Sequence, residues 1–451
     1  MRDPRKQPPA AVHHAELWEL REAKYAWLHE SGLQATCWEQ LTPSPPSYLF
    51  IPAPDEVSAE YHAQPGVTEL IPFHSMALNT HRDAFVIDFD LPTLLDRIRG
   101  FRDASPEALH RMHHGMARER AADAQRELRT CPDWRSPAIR CLYRPFDTRF
   151  LYWSHALIDR PRPAANRHMR EPNISLLTTR QTQEPFAALA TNMVCGQHKI
   201  AAVYDGTLFF PLYLYPSEQE IASGLYPAGE RRPNLAPALV ADLSQRLGLT
   251  FLPDGTGDLE RTFGPEDVFH YIYAVLYSPT YRSRYAKFLK RDFPRIPLTT
   301  NLDPFRALCR KGAELVALHL MESPALRQPI TNYPVPGMNL VDKGHPRYLP
   351  PGERDPATNH PLQRGRVYLT RENRSAGKRG QYFEGVPPEV WAFHVGGYQV
   401  CERWLKDRRG RNLSSDDLTH YERIIVALAE TIRLMREIDE VIDAHGGWPI
   451  Q

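Results

Sequence analysis

The spacing of apolar side chains changes period several times along the chain. Residues 12 to 30 (VHHAELWELREAKYAWLHE) set Leu17, Trp18, Tyr25 and Leu28 at helical intervals before Ser31-Gly32, which predicts one helix with an aromatic face. The stretch LTPSPPSYLFIPAPDE carries too many prolines for a helix, since each removes an amide donor and restricts its predecessor, so an extended connector is expected. AFVIDF (84 to 89) alternates Phe85, Ile87 and Phe89 and reads as a strand ahead of a helical, mostly solvated segment at 91–129. From 139 to 216 the period is two: IRCLY, RFLYW, NISLLTT, IAAVY and TLFFPLYLY read as short strands parted by Pro, Asp-Gly and polar turns.

Helical spacing returns at 233–248 and 265–290. The second run is expected to split where Ser278 can cap and Pro279 can take the first position of a new helix, with Phe269, Ile272, Leu276, Tyr281, Tyr285 and Phe288 facing inward. Residues 323–386 read as loop and strand, with RVYL at 366–369 and a basic, Gly-bearing loop, RENRSAGKRGQYF. Ser414-x-x-Asp417 is a capping box for a last helix bearing Tyr421, Ile425, Leu428, Ile432, Met435 and Val441 on one stripe, closed by Gly446-Gly447. Together these predict an α+β chain. A helix and Pro-rich connector (1–80) precede a strand plus helical segment (81–135) and a β-rich unit (136–225). A helical unit (226–322), a loop/strand return (323–386) and C-terminal helices (387–451) follow.

A length of 451 residues allows two or three packed units, and 42% hydrophobic residues with 10% aromatic exclude disorder as the default. The six cysteines lie far apart, without a CxxC pair or zinc spacing, and read as reduced thiols. No apolar run approaches the roughly 20 residues of a membrane span, and MRDPRKQPP lacks a signal peptide's apolar block, so a cytoplasmic protein is expected.

Catalytic motifs are hard to find. FLPDGTGDL (251–259) has a Gly-x-Gly resembling a methyltransferase cofactor loop, but the acidic strand end and Asn/Asp-Pro-Pro-aromatic motif that such a site needs do not follow, so a turn is expected. Ser44-Pro45-Pro46-Ser47 lacks the carboxamide and the aromatic of that motif, and there is no GxxxxGK[ST] or HExxH. No catalytic residue, metal ligand or bound cofactor is expected in this chain.

Charge is informative only locally, because the net charge is +1. Between 140 and 181, eight arginines face Asp147, Asp159 and Glu171, a net of +5; between 364 and 379, five arginines and Lys378 face only Glu372. Arginine suits bidentate contacts to phosphate or guanine, and Gln181 could read adenine. The candidate contacts to double-stranded DNA are Arg144, Arg149, Arg160, Arg162, Arg180, Gln181, Lys378 and Arg379. The competing reading is that these arginines pair with carboxylates or cover the sheet.

Several blocks carry a resemblance: HAELWELREAKYAWL, PSYLFIP, HRDAFVIDFD, LYRPFDTRFLYW, TTRQT, LFFPLYLYP, FGPEDVFHYIYAVLYSPTYRSRYAKFLKRDFPRIPL, GAELVALHLME and QYFEGVPPEVWAFHVGGYQVCERWLKDRRGR. Over nearly its whole length the chain resembles the C-terminal specificity region of Type ISP restriction-modification enzymes. The resemblance implies a module that selects a DNA sequence while a nuclease, a helicase and an N6-adenine methyltransferase act. S-adenosylmethionine, ATP and Mg would belong to those parts, here supplied by a separate methyltransferase or helicase-nuclease polypeptide. The alternatives are a site-specific adenine methyltransferase with divergent motifs and a remnant without function.

Overall fold

The most apolar block, PEDVFHYIYAVLY, forms a helix at Pro265–Tyr277 in which every residue but Glu266 is buried. A helix apolar all round must be surrounded, and this one packs against Leu302–His319 and Ser415–Ala444. Gly312 makes the close approach possible, because a Cβ there would fall on the carbonyl group of His270. The tyrosine hydroxyls inside are satisfied. Tyr273 Oη meets His319 Nδ1 at 2.5 Å, whose Nε2 lies 2.9 Å from Thr431 Oγ1. Tyr277 donates to the Ala188 carbonyl at 2.7 Å, and Tyr273 Oη accepts from the Ala190 amide at 3.0 Å, so the same helix holds a strand edge.

The capping signals act as expected. Ser278 accepts from the Tyr281 amide at 3.0 Å and starts Pro279–Arg284, while its hydroxyl donates to Asp439 of the last helix. Ser414 and Asp417 exchange both bonds of the capping box at 3.0 Å. The buried stripe of Ser415–Ala444 runs through Tyr421, Ile425, Leu428, Thr431, Leu434, Ile438 and Ile442. Ile432, Met435 and Val441, expected on that stripe, are its half-buried flank.

This computed structural model describes residues 10–450 apart from 44, 46, 47, 49, 53, 54, 113, 228 and 372–379. The chain divides into two units, Met1–Gln64 and Pro65–Gln451. In the first, the helix expected from residue 12 begins only at Arg21; β1 (Val12–His14) instead pairs antiparallel with β2 (Glu39–Leu41), a partner that local spacing does not reveal. The helix Arg21–Glu30 buries none of its residues, and Trp18, Leu20 and Leu28 are exposed. Ser44, Pro46 and Ser47 lie outside the described residues.

The second unit holds β3 (Ser75–Met76), β4 (Ile87–Asp88), β5 (Ala138–Arg144), β6 (Asp147–Tyr152), β7 (Ser175–Thr178), β8 (Leu189–Thr191), β9 (Val194–Cys195) and β10 (Leu208–Pro211). They form two four-stranded sheets, β3-β10-β7-β8 and β4-β6-β5-β9, antiparallel except for β5 with β9. A third, Arg347–Leu349 with Arg366–Tyr368 and Tyr382–Glu384, contains the expected RVY strand. The mixture is α+β, and among the described residues no helix is long and apolar enough to cross a membrane.

Three local expectations fail for identifiable reasons. AFVIDF is a strand only at Ile87–Asp88; Thr80 accepts from the Arg82 amide at 3.1 Å and donates to Asp83, which favours a helical turn at Asp83–Val86. IAAVY forms no strand, although Ile200, Ala201 and Ala202 are buried in bends. The segment 91–129 is three helices, Leu91–Asp103, Pro106–Arg111 and Arg118–Thr130, and it is not mostly solvated: Leu94, Ile98 and Phe101 form an inward stripe with Ala121, Ala124 and Leu128.

Gly312→Ala should destabilise the protein by about 1–3 kcal/mol in urea denaturation, although alanine is the better helix former by about 1 kcal/mol. A neutral or stabilising result would mean that the two helices do not meet backbone to backbone.

Candidate nucleic-acid interface

The turn between β5 and β6 puts Phe146 at φ +60° and makes Asp147, fully buried, the first residue of β6. Its Oδ2 accepts from Arg149 Nε at 3.0 Å and Nη2 at 2.7 Å, and its Oδ1 accepts from Arg408 Nη2 at 2.7 Å. Burial opposes ionisation of Asp147, but Arg408 and Arg149 outweigh it and hold the carboxyl below its usual range. Arg408 lies 3.4 Å over the Trp404 ring, and Arg149 lies 3.9 Å over Phe89 and 3.8 Å over Tyr143.

This changes the standing of two expected contacts. Arg149 is 11% exposed and committed to Asp147. Arg144 is buried, donating to the carbonyls of Tyr143 at 2.6 Å and His198 at 3.3 Å. Both serve the interior, because an arginine on a strand face that is covered must be neutralised or hydrogen-bonded there. The late basic segment behaves likewise at Arg366, which pairs with Asp355 at 3.0 Å and Glu384 at 2.7 Å. Lys378 and Arg379 lie outside the described residues.

Arg160, Arg162, Arg180 and Gln181 are exposed. Arg160 exchanges backbone bonds of 2.9 and 3.1 Å with Asn79, which ties the segment after β6 to the loop after β3. The neighbouring Asp159 is shared among His81 Nδ1 at 3.0 Å, Arg120 at 3.2 Å and Arg160 at 3.8 Å, so two guanidiniums share one carboxylate. Arg162, at φ +49°, opens the turn Pro163–Asn166. Arg180 meets Asp292 at 3.2 Å, both about two-thirds exposed, a pair weak enough to exchange for another anion.

Register explains the convergence. Leu208 pairs with both Met76 and Thr178, so the chain leaves β3 and β7 at one end of the sheet, where β10 begins. Gln197 joins the same end, its amide donating to Leu78 at 2.8 Å and its carbonyl accepting from Thr207 at 2.7 Å. Between the loop after β3, the segment 196–199 and β5 lies a cavity of about 350 Å³ whose walls include Asn79, His81, Arg144, Gln197 and Lys199. His81, Arg120 and Lys199 were not among the candidates, since each stands outside the basic windows in sequence.

The Gly-x-Gly loop closes on itself. Asp258 accepts from the amides of Glu260, Arg261 and Thr262 at 2.7–2.9 Å, and the Gly257 amide donates to Asp267 at 2.6 Å. A Cβ at Gly257 would fall on the backbone of Thr262, and one at Gly264 on that of Gly255. Thr250–Phe251 and Thr262–Phe263 do pair in parallel, but over two residues only. The glycines serve the approach of backbone to backbone.

Residues 69–437 match the family described as the Type ISP C-terminal specificity domain. The chain belongs to that family. No curated protein matches it. Three solved structures are similar to this Type ISP specificity domain. The DrdV–DNA complex is 19% identical with TM-score 0.63, over 92% of this chain and 42% of that one. A nuclease-deletion mutant of the Type ISP enzyme LlaGI with a DNA substrate mimic is 16% identical with TM-score 0.63, over 96% and 33%. The ATP-dependent Type ISP enzyme LlaBIII bound to DNA is 16% identical with TM-score 0.61, over 89% and 25%. At these identities the likeness shows the fold, and the chain spans 25–42% of the length of those relatives.

Asp147→Asn should cost about 3–5 kcal/mol at neutral pH, because it leaves Arg408 buried beside an uncharged partner. The folded carboxyl titrates below its unfolded value, so its contribution is present above that value and is lost as pH falls through the folded one. Urea midpoints of parent and variant should therefore converge in acid; a constant gap would contradict the ion pair.

Proposed function

We propose that the face carrying Arg160, Arg162, Arg180 and Gln181 docks on double-stranded DNA and lets this specificity domain select a target sequence. The observation that carries the proposal is that Arg120 and Arg160 share the single carboxylate of Asp159 with His81, where the loop after β3 meets the segment after β6. Arg160, Arg162 and Arg180 would position the phosphates and Gln181 would reach a base edge; Lys378 and Arg379, outside the described residues, are further candidate contacts. A role in DNA target recognition for restriction-modification follows from the family, and the DNA-bound states of DrdV and LlaBIII support it.

In this reading the chain contributes selection and other domains or chains contribute reaction. S-adenosylmethionine, ATP and Mg are bound by those parts, whether a methyltransferase or a helicase-nuclease polypeptide, and the chain works in the cytoplasm where the DNA is.

Selection from a random pool of duplexes should return a preferred site, bound with a falling log–log dependence on salt. Arg160→Ala and Arg162→Ala should each make that slope shallower by about 0.9 and weaken binding evenly across sequences. Gln181→Ala should relax preference at one position by about 1–3 kcal/mol. Binding that is indifferent to salt, or a pool that stays random, would overturn the proposal.

A further inference from the structure

The cavity behind the candidate interface has a chemistry of its own. Its apolar surface comes from Leu78, Leu142 and Leu151, with Cys141, whose thiol burial pushes up to about 12, acting as one more small apolar group. Three of its hydrogen-bonding side chains, Asn79, Gln197 and His198, are neutral. Asn79 offers Nδ2, 3.5 Å from His198 Nε2, and Gln197 completes this wall. Burial, with His81 and Arg144 nearby, lowers the pKa of His198, so the ring is neutral and can both donate and accept.

The charged groups of the walls are already engaged or stand at the edge. Asp83 is held by the Thr80 hydroxyl, and Arg144 by two carbonyls. His81, Asp83 and Lys199 are exposed, and Arg160 stands next to Asn79 through its backbone pairing. Two wall residues, His81 at φ +52° and Lys199 at φ +63°, hold left-handed backbone, a strained state that the surrounding contacts must maintain.

Lys199 at the mouth and neutral hydrogen-bonding groups over an apolar floor are the two halves of a nucleotide site, phosphate outside and base within. We infer that this cavity receives one unstacked nucleobase of the bound DNA. The inference rests on the DNA-binding reading above and adds to it. At about 350 Å³ the space is at the small end of ligand pockets, sized for one nucleoside rather than for a peptide. Recognition through such a pocket uses the Watson–Crick edge, which stays paired and hidden when the groove alone is read.

The full chain and its selected duplex provide the test, with 2-aminopurine or an abasic residue placed at each position in turn. One position should brighten on binding, and an abasic residue there should leave affinity within about twofold while weakening it elsewhere in the site. Asn79→Ala and His198→Ala, the latter at an exposed residue, should each weaken the intact duplex by roughly tenfold, abolish the brightening and leave the abasic duplex unaffected. Sequence-selective binding with no unstacked position would overturn this inference and leave the DNA reading intact. An unstacked base indifferent to both substitutions would overturn it as well. Failure to bind any duplex would overturn both.

Discussion

A carboxylate without access to water sets the terms for this structure. Asp147 opens β6, where the hairpin with β5 turns, and is satisfied by Arg149 from its own strand and Arg408 from the segment after the helix Val400–Lys406. Taking either cation away would leave a buried charge without its counterpart, which is far costlier than never having buried it. The β-rich middle of the chain and its C-terminal helices are therefore obliged to meet. Phe89 and Trp404 provide the aromatic surfaces on which the guanidiniums lie, and Arg411 adds a further contact at 4.0 Å from Phe89.

The second constraint comes from the helix Pro265–Tyr277. Its tyrosines need hydrogen-bond partners at their tips as well as apolar surroundings. Tyr273 and Tyr277 find some of them on the backbone around β8, which fixes one edge of the sheet β3-β10-β7-β8 against the helices. The loops at the end of that sheet are then free to carry recognition, since their position is set by elements that do not depend on them.

Signals confined to one turn were legible in the sequence. The Ser278 cap, the Ser414–Asp417 box and the Arg366–Tyr368 strand stand where the residues place them, because each rests on neighbours within a few positions. Strands of two or three residues such as β8 and β9 carry too little alternation to be seen, and Pro304 near the start of Leu302–His319 disguises a helix of 18 residues. The charge windows hold the exposed Arg160, Arg162 and Arg180, but they count the interior Arg149 equally, because its burial beside Asp147 and Arg408 comes from the fold. They also missed His81 and Arg120, which reach Asp159 only through the fold.

Turning some arginines inward has a consequence for recognition. Each phosphate neutralised by a cation adds to affinity for any sequence, and with it to the steepness of the salt dependence. What matters to a selecting module is the ratio of specific to non-specific binding, set against a large excess of wrong sites. A chain of net charge +1 that commits Arg144, Arg149 and Arg366 to its own interior presents a smaller sequence-independent attraction than its arginine count implies. The arginines that remain outside, held by the shared Asp159 and the weak Arg180–Asp292 pair, can exchange those partners for phosphate without leaving a buried charge behind. In the proposed reading, discrimination falls to groups that reach base edges, where an uncharged side chain such as Gln181 counts for more than a further cation.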